Sequence, residues 1–191
     1  MSEKKMNFPE LEMRRLSLTC LNDKDASAVF ELFSNGSVVE YYDLEAFTDI
    51  AQAEELIKTF QNQFQNSTGI RWAIRSKDTG NLLGTCGFNS WSKGMKNAVI
   101  GYDLMPSHWN QGFSTEAVSM IIDTAFSGAL ACGPLHRIQA DTIPENIASE
   151  KLLYRLGFKK EGLRRECGYW KRKFHSLNCF GLLENEFKKW T

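Results

Sequence analysis

The stretch HWNQGFSTEA, residues 108–117, decides how this chain folds. Just before it, NAVIGYDLM (97–105) is apolar on both faces, the pattern of a strand in the middle of a sheet, and Pro106 ends it. Just after it, Phe113, Ala117, Met120, Ile121 and Ala125 recur at helical spacing and predict a helix over about 112–127. A bare glycine therefore sits at the mouth of a helix that follows a strand. The first backbone N–H groups of a helix have no partner within it, and the helix dipole makes that end positive. With no Cβ in the way, Gly112 lets an anion come close to those amides. Gln111, Gly112, Phe113, Ser114 and Thr115 would supply the amides, and Ser114 and Thr115 add hydroxyls. The turn is a candidate phosphate site. It is neither a G-x-x-x-x-G-K-[ST] loop nor a G-x-G-x-x-G fingerprint in a first β-α turn.

Working outward, RLSLTCL (15–21) alternates like a strand, and Asp23 and Asp25 open a helix carrying Ala26, Val29, Phe30 and Phe33. A loop containing VVEYYDLEAFTD leads to a second helix, about 49–65, with its stripe at Ile50, Ala53, Ile57, Phe60 and Phe64. The period then changes to two: Ile70, Trp72 and Ile74 alternate with Arg71, Ala73 and Arg75. Asp78-Thr79-Gly80-Asn81 is turn chemistry and folds the strand back into LLGTCGFN (82–89), followed by the polar loop SWSKGMK. Beyond the central helix, RIQADTI (137–143) reads as a strand and Ile147–Leu156 as a short helix closed by Gly157. Strands over about 158–169 and 174–184, joined near Lys171-Arg172-Lys173, finish the chain. The order β-α-α-β-β-β-α-β-α-β-β predicts an α/β (α+β) domain: a mixed, mostly antiparallel sheet with helices on both faces. A single domain is expected, with about 1–14 as an N-terminal extension.

The 191 residues suffice for one domain with a real core. Lys plus Arg and Asp plus Glu balance at 23 each, so nothing in the net charge calls for nucleic acid or an anionic membrane as partner. A local basic strip (Lys159, Lys160, Arg164, Arg165, Lys171, Arg172, Lys173) reads as solvated strand faces. Five cysteines without a C-x-x-C pair imply neither a disulfide framework nor a metal site. The start, MSEKKMNFPELEMRR, has no apolar h-region, which points to the cytoplasm. Monomer and homodimer are equally compatible with these features.

Two segments add a resemblance. Trp109-Asn110-Gln111-Gly112-Phe113-Ser114 resembles the Q/R-x-x-G-x-G/A pyrophosphate motif of the GNAT superfamily of acetyl-CoA-dependent N-acetyltransferases, with Trp at the first position and Ser at the last. PENIASEKLLYRLGF (144–158) resembles the P-x-N-x-x-S…L-x-x-L-G-F of its ribosomal-protein N-terminal (Rim-type) branch, and YYDLEAFTD and IGYDL-x-P fit as well. The order of elements matches the GNAT acyl-CoA N-acyltransferase fold.

The resemblance implies transfer of an acetyl group from acetyl-CoA to a primary amine, by direct attack in a ternary complex and without a metal. A bulge is expected to splay the strand ahead of the turn from its parallel neighbour, opening a gap between 97–105 and 137–143. Backbone groups of Leu104 and Met105 would line the pantetheine arm there, and an N–H would face the thioester oxygen. Trp109 and the 111–115 amides would hold the pyrophosphate. Asn146 is an N-cap or a pantetheine contact, and both readings stay open. Many relatives carry a Tyr seven residues after this Asn, where this chain has Leu153; Tyr154 lies about 100° further round the helix. Ser149 is then the expected hydrogen-bond donor to the leaving sulfur. Glu166 is the expected base, and Glu116 a partner of the helix dipole; His108 and His175 are outsiders. Tyr41, Tyr42, Phe47, Asn89 and Trp91 match loops that shape the acceptor pocket. The favoured acceptor is a protein N-terminal α-amine. The alternatives are a small amine such as an aminoglycoside or polyamine, with Asp43, Glu45 and Asp49 near the aromatic loop, and a non-catalytic acyl-CoA-binding or interaction domain.

Overall fold

The computed structural model describes residues 7–189. In chain order the elements are β1 (Leu11–Glu12), β2 (Leu16–Cys20), α1 (Ala26–Ser34), α2 (Gly36–Val39), α3 (Ile50–Gln65), β3 (Ile70–Ser76), β4 (Leu82–Ser92), β5 (Asn97–Leu104), α4 (Phe113–Phe126), β6 (Arg137–Thr142), α5 (Ile147–Arg155), β7 (Lys159–Trp170) and β8 (Lys173–Leu183). This is the expected order with two short additions. Leu11 and Glu12, expected in an extension, pair with Leu18 and Ser17 as β1. The loop after α1 begins with one helical turn, α2, because the Asn35 side chain caps it at the Ser37 N–H, 3.0 Å away. The rest of the expected extension, residues 1–6, lies outside the described residues. The polar run SWSKGMK is also shorter as a loop than its composition suggests: β4 continues to Ser92, and Lys96 turns the chain at φ 51°.

Local chemistry fixes the helices. Asp49 accepts from the Ala51 N–H (2.9 Å), and Gln52 returns a bond from the Asp49 N–H (3.0 Å), so a reciprocal cap starts α3. Its buried stripe is Ala53, Ile57 and Phe64; Ile50, at the first turn, falls off the core and is 43% exposed. In α1 the buried set is Ala26, Val29, Leu32 and Phe33, with Phe30 only half-buried.

The eight strands form one sheet in the order β1-β2-β3-β4-β5-β6-β8-β7. Every neighbouring pair is antiparallel except β5 and β6. The two faces carry separate cores. On one, α4 packs Ile121 and Ala125 over Leu16, Leu18, Trp72 and Phe88. On the other, α1 and α3 pack Val29, Phe33 and Ile57 over Ala73, Leu82 and Met105. The alternation in β3 therefore does not separate core from solvent: Arg71 is only 5% exposed, beneath α3.

The site-forming irregularity lies between β5 and β6. Their parallel pairing runs only through Asn97↔Arg137, Ala98↔Ile138 and Val99↔Gln139, after which the strands part. The bulge is not in β5, as the resemblance implied. It is in β4, where the register against β5 shifts between Phe88 and Ser90 and leaves Asn89 as the extra residue. The extra residue bends β4, and β5 with it, at the height where β6 lets go. Among the described residues, no helix is long and apolar enough to cross a membrane.

Phe88, fully buried beside this bulge and edge-on to Trp72 at 6.5 Å, locks the bend into the core. Phe88→Ala is expected to destabilise the fold by about 3–5 kcal/mol. The expected signature is a lower urea midpoint with an unchanged denaturant slope.

Candidate active site

Where β5 and β6 part, a cleft of about 940 Å³ opens. Leu104, Trp109, Gly112, Phe113, Ser114, Thr115, Asn146 and Ser149 line it, together with Tyr41, Tyr42 and Asn89. The remaining expected residues, Met105, Gln111, Phe47, Trp91 and Glu166, lie elsewhere.

At one end stands the N-terminus of α4. Gly112 takes a left-handed conformation (φ 79°, ψ 0°), and no side chain caps the helix. The first bond inside α4 runs from the Glu116 N–H to the Gly112 carbonyl (3.0 Å), so the Phe113, Ser114 and Thr115 amides have no partner within the helix. A residue absent from the sequence reading braces this turn. Arg15 donates from Nε to Glu116 (2.7 Å) and from Nη1 to the Gln111 carbonyl (3.0 Å), and its guanidinium lies 4.4 Å over the Phe113 ring. Glu116 thus serves as the anchor for Arg15. The positive amide corner is held from behind by a side chain that leaves the amides free. Such a corner suits a diphosphate.

The floor of the cleft holds a hydroxyl pair. Tyr102 of β5 and Ser149 of α5 lie 2.6 Å apart, oxygen to oxygen. Burial pushes the Tyr102 phenol well above its ordinary range, and the bond to Ser149 only partly offsets this. At neutral pH the phenol keeps its proton, so Ser149 Oγ can accept from it and turn its own proton toward the cleft. Asn146 is the N-cap of α5, its Oδ1 accepting from the Ser149 N–H at 3.1 Å. Leu153 is fully buried, and Tyr154 packs edge-on against Phe180 at 5.5 Å, away from the cleft.

The wall from β5 corrects one expectation. The Met105 N–H is bonded to the Leu83 carbonyl at 2.8 Å, and the Met105 side chain belongs to the core beneath α1. It therefore has no donor to offer a thioester. Backbone alternation turns the Leu104 N–H the other way, toward the gap that β6 leaves unpaired. The Leu104 carbonyl accepts from Trp109 Nε1 at 2.7 Å, which accounts for the tryptophan at that motif position.

On the opposite sheet face lies a buried charge network. Asp103 pairs with Arg71 Nη2 and accepts from Thr85 Oγ1 at 2.7 Å; Arg71 also donates from Nε to Thr85 (2.9 Å) and from Nη1 to Asn89 Oδ1 (3.0 Å). Burial is the strongest single influence on Arg71 and works to lower its pKa, but the Asp103 charge together with Tyr42 and Cys86 outweighs it and the net shift is upward. Tyr42 stands beside the pair, its phenol pushed well up by burial and then by the Asp103 charge. Asn89, the bulge residue, therefore takes part through Arg71.

Packing places the four other expected residues outside the cleft lining. Phe47 packs against Phe33 (5.5 Å between rings) in the α1 core. Trp91 donates from Nε1 to the Ser67 carbonyl (2.5 Å) and closes the turn after α3. The Gln111 side-chain amide donates to the Ser107 carbonyl (2.9 Å) on the exposed side of the turn, a bond that does not involve its backbone N–H. Glu166 is exposed on a β7 bulge at φ 46°, its N–H on Ser176 Oγ, and does not reach the cleft wall. His108 does line the cleft, edge-on to Phe113, whereas His175 is buried behind Trp170, stacked at 4.0 Å. One signal for the missed residues was present. An Asp inside the both-faces-apolar segment IGYDL needs a buried cation, and Arg71 is one of the arginines in the neighbouring strand pattern.

A family model described as an acetyltransferase (GNAT) domain matches residues 15–159. The chain is 40% identical over 177 residues to the "uncharacterized N-acetyltransferase YoaA" of Bacillus subtilis (strain 168), covering 93% of this chain and 98% of that protein. Among solved structures, a ribosomal-protein-S5-alanine acetyltransferase from Vibrio fischeri shares the fold with a TM-score of 0.79 at 20% identity, over 95% of this chain and 100% of that one. A spermidine N-acetyltransferase from Vibrio cholerae, solved with CoA and spermine, does so with a TM-score of 0.76 at 20% identity, over 90% and 97%. The parted strands, the uncapped helix end and these kinships agree: the chain belongs to the GNAT family and is an acetyl-CoA-dependent N-acetyltransferase.

Proposed function

We propose that the acceptor is the α-amine of a peptide or protein N-terminus, as in the Rim-type branch that the 144–158 segment resembles. The observation that carries this reading is the cleft between β5 and β6, entered from two faces of the sheet. The amides of Phe113, Ser114 and Thr115 hold the diphosphate at one end. The acceptor comes in from the side of Tyr41, Tyr42 and Asp103.

The chemistry then needs little from the protein. An α-amine has a pKa near 8, so a usable neutral fraction exists at neutral pH, whereas an alkyl amine near 10.4 is almost wholly charged. The neutral nitrogen attacks the thioester carbonyl carbon, and negative charge builds on its oxygen within reach of the Leu104 N–H. As the C–S bond breaks, Ser149 donates to the departing sulfur with Tyr102 behind it. The proton that the nitrogen gives up is balanced by the one that ends on the thiol. Tyr102 thus backs the serine where other members place a tyrosine at the position of Leu153. With Glu166 remote, the carboxylates in the cleft wall are Glu40, Asp43, Asp103 and Asp141. Asp103 is taken by Arg71 and Asp141 by Arg164, so Glu40 and Asp43 are the ones that favour a second reading, a small polycation as acceptor.

Calorimetry with acetyl-CoA, followed by a thiol-release assay on a panel of amines, tests the assignment. Peptide turnover rising with pH toward about 8 is expected; binding without turnover of any amine would sink it. Ser114→Glu places a carboxylate at the helix N-terminus, where it suits the fold but opposes the diphosphate. Its expected mark is unchanged or raised thermal stability with acetyl-CoA affinity down by about tenfold or more. Ser149→Ala and Tyr102→Phe are each expected to lower kcat by about ten- to a hundredfold, the worth of a hydrogen bond to a charged group. The double variant should lose little more than the worse single one, because the two hydroxyls act as a unit.

A further inference from the structure

The first turn of α4 holds a conflict of charge. Glu116, its fourth residue, favours the helix, because a negative side chain suits the positive end. The diphosphate comes to that same end with the same sign. Residues 109–115 carry no charged side chain that could balance it. The balance comes from Arg15, 101 residues away in the chain and just ahead of β2. The Glu116 carboxylate is 11% exposed and accepts twice from Arg15, from the backbone N–H at 3.2 Å and from Nε at 2.7 Å. Nη1 of the same guanidinium reaches on to the Gln111 carbonyl (3.0 Å), and a Cβ placed on Gly112 would stand 3.5 Å from Nη2. One planar cation thus lies behind the turn from Gln111 to Glu116.

We infer that Arg15 and Glu116 are a charge-compensating pair that sets the affinity for acetyl-CoA. Glu116 stabilises the start of α4, and Arg15 removes the repulsion that this carboxylate would exert on the diphosphate. The inference rests on the diphosphate assignment above and adds two residues to it. Neither is among the residues that line the cleft, so both are positioning residues that act through the field at the helix end. A charge balance and a mere brace differ in sign. Were the pair only a brace, the loss of either partner would loosen the turn and weaken acetyl-CoA alike. Because charge decides, removing the cation weakens binding and removing the anion strengthens it. Removing both restores it.

The test is calorimetric titration of acetyl-CoA into the full chain at low ionic strength, where charges are least screened. Arg15→Met is expected to raise the Kd about three- to tenfold, and Glu116→Gln to lower it about two- to threefold. The double variant is expected to return to within about twofold of the parent chain. Arg15→Lys keeps the charge without the fork and is expected to stay near the parent value. Arg15→Met can fail to fold; Glu116→Gln keeps an acceptor oxygen for Arg15, so its tighter binding then carries the test. Ser114→Glu is titrated alongside. If it weakens binding while Arg15→Met and Glu116→Gln both weaken it too, or neither changes it, this inference falls and the diphosphate assignment stands. A double variant as weak as Arg15→Met means that Arg15 acts by contact, and the inference falls in the same way. If Ser114→Glu leaves the Kd unchanged, the diphosphate assignment falls and takes this inference with it.

Discussion

A parallel strand pair that parts after Val99 and Gln139 leaves two rows of backbone donors and acceptors facing a gap inside a sheet. Buried backbone groups must be bonded to something, and an inward-facing edge is otherwise a liability. The fold keeps this gap open with rigid supports on every side. The β4 bulge at Asn89 bends one strand, α4 starts against its end, and α5 closes the other wall through Asn146. An extended co-substrate arm is the partner that such a gap lacks. The acetyl-CoA dependence that the family match shows is thus accompanied by a backbone feature able to take such an arm.

The charge network across the sheet answers a second constraint. A buried carboxylate and guanidinium are costly unless paired and well bonded. Asp103 and Arg71 meet this through Thr85 and Asn89, with Phe60 lying 5.4 Å from the guanidinium. The pairing spends one carboxylate oxygen and spares the other. The network also joins the bulge residue Asn89 to Asp103 of β5, so the bend beside the gap and the buried ion pair are parts of one assembly.

Much of this was legible in the sequence, and the limits have physical causes. The strand-Gly-helix reading of 97–127 found the uncapped start of α4, because unpaired amides at a helix start are a local property. The PENIASEKLLYRLGF segment pointed to the Asn146 cap by residue type, and to Ser149 through the resemblance alone. What depends on strand register was not legible. The direction of the Met105 N–H, the meeting of Tyr102 with Ser149 and the burial of Arg71 all depend on which residues lie opposite one another. Loop aromatics are ambiguous for another reason: Phe47 and Trp91 carry the same composition signal as Tyr41 and Tyr42, yet one pair packs inward and the other faces the cleft. Arg15 escaped notice because its partners, Gln111 and Glu116, are distant in sequence.

The tip of the last hairpin places a relaxed turn and a cross-tie in opposition. Lys171 and Arg172 both hold left-handed backbone angles, φ 49° and 60°, which cost side-chain-bearing residues about 1 kcal/mol or more each. Asn-Gly would relax this turn and firm the hairpin. It would also delete the lysine that ties the hairpin to the Val39 carbonyl beside the cleft. A firmer hairpin therefore comes at the loss of a cross-tie, and the strained pair keeps the tie.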